Sequence, residues 1–391
     1  MTDPRLNVLV VGAGMYVCGT GTPGFGTILP SLFQASREGS VNEITIAATD
    51  PAKKDSVMER AAGLGRQLNV DAAVRYVPSE GSRDPDAYLR ALDASSFDCA
   101  IVSVPDHLHY TVTRNLLLRG LHVLVVKPLV PTVAEADELI RLAELQDVYA
   151  AVELHKRFDE SNLRIKRMLR EGSIGDVLYC LVEFSQRQDI PLARFREWAA
   201  RTNIFQYLGV HYADLIYFCT GARPVRAMAT AQKRLLAAEG IDTWDAVQAT
   251  IEWRTPGLEF VSTILTNWVD PLTTTAMSDQ KIKWIGTRGR IEADQKRRGL
   301  EFVGPQGIQD INPYFSEFLP DSDDQLQFGG YGHRSIDQFL QDVRALRGNR
   351  VRAADLNAAR PTFRDARVAT AVVEAVNDSL ASGGAWTTVN A

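Results

Sequence analysis

The stretch at residues 97–129, FDCAIVSVPDHLHYTVTRNLLLRGLHVLVVKPL, constrains the fold more than any other part of the chain. Residues 100–104 predict a buried strand, Pro105-Asp106 a turn, and residues 109–118 a helix. Residues 122–126 predict a second buried strand, and Lys127-Pro128 stops it. Two apolar strands joined by an amphipathic helix become parallel neighbours through a right-handed crossover. Ligands of such sheets bind beyond the carboxyl ends of the strands. Pro105, Asp106, His109 and Lys127 all fall there. A lysine directly after an all-apolar strand is uncommon as a mere solvated cap, so Lys127 is a candidate for chemistry.

The same alternation runs through the first part of the chain. Strands are expected at residues 7–11, 43–49, 73–77 and 148–153, with helices at 27–37, 55–67, 84–92 and 133–145. This predicts an α/β domain with a doubly wound parallel sheet over residues 1–155. The pattern then changes. A helix at 159–170 and a strand at 177–186 lead to the apolar helix NIFQYLGVHYADLIYFCTG, which stops at Gly221. Long alternating strands at 225–233, 246–253, 258–268 and 274–285 predict a large, mostly antiparallel sheet with one partly polar, open face. Residues 304–332 show no clear period and read as a long loop that covers a site. Helices at 335–347 and 361–380 close the chain. Its 391 residues exceed one ordinary core, so residues 156–391 form a second, α+β domain.

Composition excludes several functions. A net charge of −5 without a basic block argues against nucleic acid as a partner. No apolar run approaches the roughly 18 residues of a membrane span. The opening MTDPRLNVLVVGAG enters a strand at once and does not read as a signal peptide. The four cysteines are scattered, with Cys99 and Cys219 in apolar elements, as in a reducing cytoplasm. His107 and His109 lack further ligands nearby, so no metal site is expected.

After the first strand comes Gly12-Ala13-Gly14, the start of a dinucleotide fingerprint, in which glycines let the backbone turn tightly and approach a pyrophosphate. The position of the usual third glycine is Val17. Gly26 takes that role nine residues later, immediately before a helix expected from Thr27, whose N-terminus offers N–H groups to phosphate. A plain glycine-rich turn is the alternative. Asp50 ends the second strand, where an acid binds the adenosine ribose hydroxyls and repels a 2′-phosphate. That favours NAD(H), while Lys53 and Lys54 soften the preference and leave room for NADP(H).

These residues resemble the glucose-fructose oxidoreductase, inositol dehydrogenase and rhizopine-catabolism (GFO/IDH/MocA) family over nearly the whole chain. Ser103, Pro105, Asp106 and His109 match its Ser/Thr-Pro-Asn signature with a following histidine, with Asp for Asn. Gly120, His122, Val123, Lys127, Pro128 and Leu129 match its GxHVxxEKPL stretch, with Val126 in place of Glu. His155-Lys156-Arg157-Phe158 and Glu171-Gly172-Ser173-Ile174-Gly175 resemble two further motifs, and Gly209, His211, Asp214 and Leu215 its DxGxHxxDL helix. Trp284 to Gly289 (WIGTRG) and the terminal helix complete the series.

The resemblance implies a Rossmann domain followed by the α+β domain, and hydride transfer between a nicotinamide and a hydroxyl or keto carbon of a sugar, sugar nucleotide, aminosugar or cyclitol. To the glycine-loop residues Gly12, Gly14, Gly26 and Thr27 and to Asp50, it adds Ser103, Pro105, Asp106, His109, Lys127 and Pro128 as expected cofactor residues. Lys127 would polarise the substrate oxygen and His211 exchange its proton. Apart from the resemblance, His155 and Arg157 follow a strand that ends near the same sheet edge, and Tyr331 closes the long loop, so these three are expected beside substrate. The family aspartate four residues before His211 is Tyr207 here. Its phenol could act as an acid, pass a proton to His211, or simply pack. Homodimers or homotetramers through the second domain's sheet are expected. A transient-oxidation epimerase or glycosidase with tightly bound NAD, and a non-catalytic NAD-binding regulator, remain alternatives.

Overall fold

The computed structural model describes residues 5–391; the four residues before them, part of the opening stretch read as lacking a signal peptide, lie outside the described residues. The chain divides into two compact units. The first comprises residues through Leu129, Asp137–His155 and Tyr314–Asp365; the second comprises Val130–Ala136, Lys156–Pro313 and Ala366–Ala391.

The first unit is built on six parallel strands, β1 (Leu6–Val11), β2 (Val41–Ala47), β3 (Ala73–Val77), β4 (Cys99–Val102), β5 (His122–Val126) and β6 (Ala150–Glu153). Their order is β3-β2-β1-β4-β5-β6, so the winding reverses between β1 and β4. β4 is buried at every residue, as is β1 but for Asn7. Such unbroken apolar runs belong to strands covered on both faces. The expected helices at 109–118 and 133–145 form with those bounds.

The segment Tyr314–Asp365 returns to this unit, although it lies far beyond the boundary expected at residue 155. Its apolar side chains explain why. Phe328, Ile336, Phe339, Leu340 and Val343 are buried in one core with Leu6, Val8, Phe33 and Tyr149. Tyr149 stacks on Phe339 at 5.5 Å, and its hydroxyl donates to Asp342 at 3.2 Å.

The second unit carries β7 (Val177–Arg187), β8 (Arg223–Gln232), β9 (Ala246–Thr255), β10 (Leu258–Asp270), β11 (Ser278–Gly286) and β12 (Gly289–Asp294), with a short terminal strand at Thr387–Thr388. The order is β12-β11-β7-β10-β9-β8 and then the terminal strand. All pairs are antiparallel except β7 with β10. One face buries Trp253, Trp268 and Trp284 in a core with helices Glu160–Arg170, Val210–Thr220 and the middle of the last helix, Phe363–Ala381. The opposite face leaves Tyr179 and Leu178 exposed and carries the Arg226–Glu252 ion pair.

Two expectations need correction. Residues 304–332 are not a structureless loop. Leu300–Gly304 pairs with Gly307–Ile311, Glu317–Pro320 pairs with Leu326–Gly329, and a helix begins at Tyr331. Short hairpins with exposed side chains leave only a weak alternation to read. The helix expected over 203–221 begins as a π-wound turn, Phe205–Gly209, and is α-helical only from Val210. Phe205 lies across this turn: a Cβ on Gly209 would stand 2.5 Å from its ring.

Candidate active site

In the first unit, the carboxyl ends of the strands collect most of the expected cofactor residues. Gly12 follows β1 with φ +116°, and a Cβ there would stand 2.1 Å from the Ser103 carbonyl oxygen. Only glycine lets β1 and β4 approach so closely. A Cβ on Gly14 would meet nothing within 4 Å, so the backbone there is open to an approaching group. Open backbone beside the strand-order reversal fits a dinucleotide pyrophosphate.

Gly26 and Thr27 do something other than was expected. A single helical turn, Met15–Cys18, starts directly after Gly14. The inserted stretch then folds back, so that Gly26 packs with its Cβ position 2.8 Å from the Met15 carbonyl oxygen. The Thr27 N–H donates to the Tyr16 carbonyl at 2.8 Å and is not offered to phosphate. Arg60 clamps the insertion from outside, donating to the Gly24 and Thr22 carbonyls at 2.6 and 3.0 Å.

Asp50 caps the turn after β2, accepting the Ala52 N–H at 3.0 Å, with Arg83 3.3 Å away. The backbone bond first and Arg83 next hold its carboxyl below the usual range. Arg83 was missed in the sequence because it lies 33 residues downstream. Asp106 is buried and accepts the His107 N–H at 2.9 Å. His109 ties the strand ends together: Nδ1 lies 2.7 Å from the Pro128 carbonyl oxygen and Nε2 2.9 Å from that of Val104. Burial lowers its pKa.

Lys127 ends β5. Burial pushes its amine down to about 7, opposed by the negative charges of Glu153 and Asp106. A lysine in this range exchanges protons near neutrality. Beyond β6 stands a cluster that the sequence only half revealed. Glu153 is 1% exposed and accepts from His155 Nδ1 at 2.9 Å. The His155 ring stacks on Tyr331 at 5.8 Å and meets Phe315 at 5.2 Å and Tyr16 at 6.4 Å. The Tyr16 phenol is pushed well up, by burial first and by Glu153 next. Glu153 was overlooked, although a charged residue at the end of a buried strand is the signal that singled out Lys127.

In the second unit, His211 opens the α-helix and is 5% exposed, its ring 6.1 Å from that of Phe184. One turn on, Asp214 is held bidentately by Arg157, with one bond of 2.9 Å from Nε. Arg157 also stacks over Phe218 at 5.0 Å, and the pair fixes the helix that carries His211. Tyr207 lies on the π-wound turn, where the i, i+4 relation of an α-helix no longer holds. Its ring packs among Phe195, Trp198 and Trp268 at 5.4, 6.4 and 6.2 Å. Lys156 is buried and donates to Gln295 at 2.6 Å and to Gln280. Among the described residues, no group of three His, Cys, Asp or Glu could hold a metal ion. No helix among them is long and apolar enough to cross a membrane.

Comparison with known proteins gives this geometry its context. The chain is 29% identical over 185 residues to the scyllo-inositol 2-dehydrogenase (NADP(+)) of Bacillus subtilis, a match covering 47% of this chain and 48% of that protein. It is 29% identical over 171 residues to the UDP-N-acetylglucosamine 3-dehydrogenase of Acidithiobacillus ferrooxidans, covering 44% and 47%. The chain thus spans about half the length of these curated relatives, or less for others. The fold matches the scyllo-inositol dehydrogenase of Lactobacillus casei, solved with NAD(H) and scyllo-inositol, with a TM-score of 0.67 and 16% identity over 99% of this chain and 100% of that one. Residues 6–154 match the oxidoreductase family with an NAD-binding Rossmann fold, and residues 162–292 match the GFO/IDH/MocA C-terminal domain. The chain belongs to the GFO/IDH/MocA family of oxidoreductases.

Proposed function

We propose that this protein is an NAD(H)-dependent oxidoreductase that moves hydride between the nicotinamide and a hydroxyl or keto carbon of a polyhydroxylated ring, such as a cyclitol or a sugar. The observation that carries this reading is the Lys127 amine, brought to about 7 at the carboxyl edge of the sheet that holds the glycine turn. The inositol and sugar-nucleotide dehydrogenases among the relatives support the substrate class.

Bound at Gly12 and Gly14, the nicotinamide cofactor would supply the hydride acceptor or donor. Everything else falls to the chain. As a secondary alcohol is oxidised, its carbon loses hydride and its oxygen loses a proton. Lys127 polarises that oxygen, and His211 takes the proton; in reduction Lys127 polarises the carbonyl oxygen and His211 returns the proton. A positioned cation and a proton relay each lower the barrier to forming or consuming an alkoxide. Asp50 favours NAD(H) through the ribose hydroxyls, and the Arg83 beside it leaves NADP(H) a lesser option. The open face of the second unit's sheet is the proposed contact of a homo-oligomer, and the cytoplasm the proposed location.

The test is a titration with NAD(H) and NADP(H), followed by a panel of cyclitols, sugars, aminosugars and sugar nucleotides read by nicotinamide absorbance. Lys127→Ala is expected to lower turnover by a factor of about 100 or more. Retention of most activity would overturn the assignment. Product formed with no net change in absorbance would instead favour a transient redox cycle.

A further inference from the structure

The sheet register places an acid, Glu153, beside Val126, the residue before Lys127, and the charge of that acid acts on the Lys127 amine. β5 and β6 are parallel neighbours, and Val126 is paired with Glu153. Paired residues on neighbouring strands present their side chains on the same face. Glu153 therefore stands next to the position that immediately precedes Lys127, at the same edge of the sheet. Glu153 is 1% exposed, a costly arrangement for a charge that has no task. His155 anchors it, with Nδ1 2.9 and 3.1 Å from the two carboxylate oxygens. The imidazole itself packs against the rings of Tyr331 and Phe315, which also touch each other.

We propose that Glu153 is the positioning residue of Lys127, with a carboxylate oriented by His155 that holds the amine in place and keeps it protonated for work on the substrate oxygen. Glu153 thereby replaces, from the neighbouring strand, the acid lost where Val126 precedes the lysine. The groups that act on the amine are Glu153 from β6 and Asp106 from the loop after β4. Glu153 also faces Tyr16, whose phenol is buried, and His155. Asp106 already accepts the His107 N–H, so its carboxylate is oriented along its own loop. His155 and Tyr331 then belong to the machinery that orients Glu153, a more specific role than general contact with substrate. The inference rests on the dehydrogenase reading for its purpose, but not for its physics.

The decisive experiment measures Lys127 itself. Competitive labelling of the full-length apoprotein with isotopic acetic anhydride, read by peptide mass spectrometry across pH, gives the midpoint at which the amine becomes reactive. The wild-type midpoint is expected at about 7. Glu153→Gln, which keeps shape and removes charge, should lower it by about one unit or more. Glu153→Asp should return it part of the way. A double variant, Val126→Glu with Glu153→Val, should return it further by restoring the acid one strand over. NADH affinity and circular dichroism, both expected unchanged in Glu153→Gln, show that the variant is folded. The pH profile of kcat/KM should move with the labelling midpoint.

An unmoved midpoint in a folded Glu153→Gln protein would overturn the proposal, even with wild-type turnover intact. A shifted midpoint in a protein that turns over no member of the panel would support the Lys127–Glu153 linkage and remove the dehydrogenase reading instead. If Glu153→Gln does not fold, the double variant decides: a midpoint well below that of wild type would overturn the proposal.

Discussion

Replacing Lys127 with methionine should make the first unit more stable while abolishing turnover, and the size of the gain should depend on pH in a prescribed way. The side chain keeps its length and loses its proton. In the folded protein the amine sits at about 7, against an ordinary value of 10.5. Between those values the unfolded chain holds one more proton than the folded chain, so wild-type stability rises with pH by roughly 1.4 kcal/mol per unit. The methionine variant lacks that rise. Its advantage is greatest below pH 7, at roughly 3–5 kcal/mol before discounting for the partial accessibility of Lys127 and for the cation lost beside Glu153. It then shrinks by roughly 1.4 kcal/mol per unit as pH climbs from about 7 to about 9. The assay has to look at the right unit. All six tryptophans belong to the second unit, so their fluorescence is blind to this change. Amide hydrogen exchange in β4 and β5 reports it directly, with far-ultraviolet circular dichroism as a check. Stability curves that run parallel for the two proteins over that pH range would refute the depressed lysine.

Other perturbations reach other parts of the site. Asp50→Ser should free Arg83 for a 2′-phosphate and raise the NADPH-to-NADH ratio of kcat/KM by about tenfold or more; an unchanged ratio removes Asp50 from cofactor choice. His211→Asn is expected to cut kcat by a factor of about 100 to 10,000, whereas Tyr207→Phe, in its aromatic packing, should cost only a few-fold; equal losses would make Tyr207 a proton carrier. Asp214→Asn leaves the Arg157 guanidinium without its buried carboxylate and should cost about 3–5 kcal/mol in the second unit, where tryptophan fluorescence does report unfolding. Arg60→Ala should release the insertion after Gly14 and weaken NADH binding, with susceptibility to proteolysis at residues 19–26 as the structural readout.

The family motifs were legible because each pairs chemistry with a local rule. Gly12 and Gly14 follow an apolar strand, Lys127 ends another, and His211 lies on an apolar helix. The strands of the first unit read clearly since parallel strands buried on both faces are unbroken apolar runs. The insertion was harder to read. Its glycines serve packing against the turn Met15–Cys18, and nothing in their spacing separates that use from phosphate binding. Tyr207 and His211 seemed to share a helical face; the π-wound turn Phe205–Gly209 changes that relation, and a periodicity of 3.6 cannot anticipate it.

The sequence by itself determined the class of the first domain, the sheet-rich character of the second, and the identity of Lys127 as the residue to explain. Those conclusions depend on periodicity and on residue types at strand ends, which are local properties. Tertiary structure alone decided that residues 314–365 return to the first unit, that Asp50 has Arg83 beside it, and that Glu153 stands next to the residue before Lys127. Each depends on which strands and segments become neighbours. Neighbours are chosen by the burial of apolar surface across the whole unit, and that choice leaves no mark at any one position.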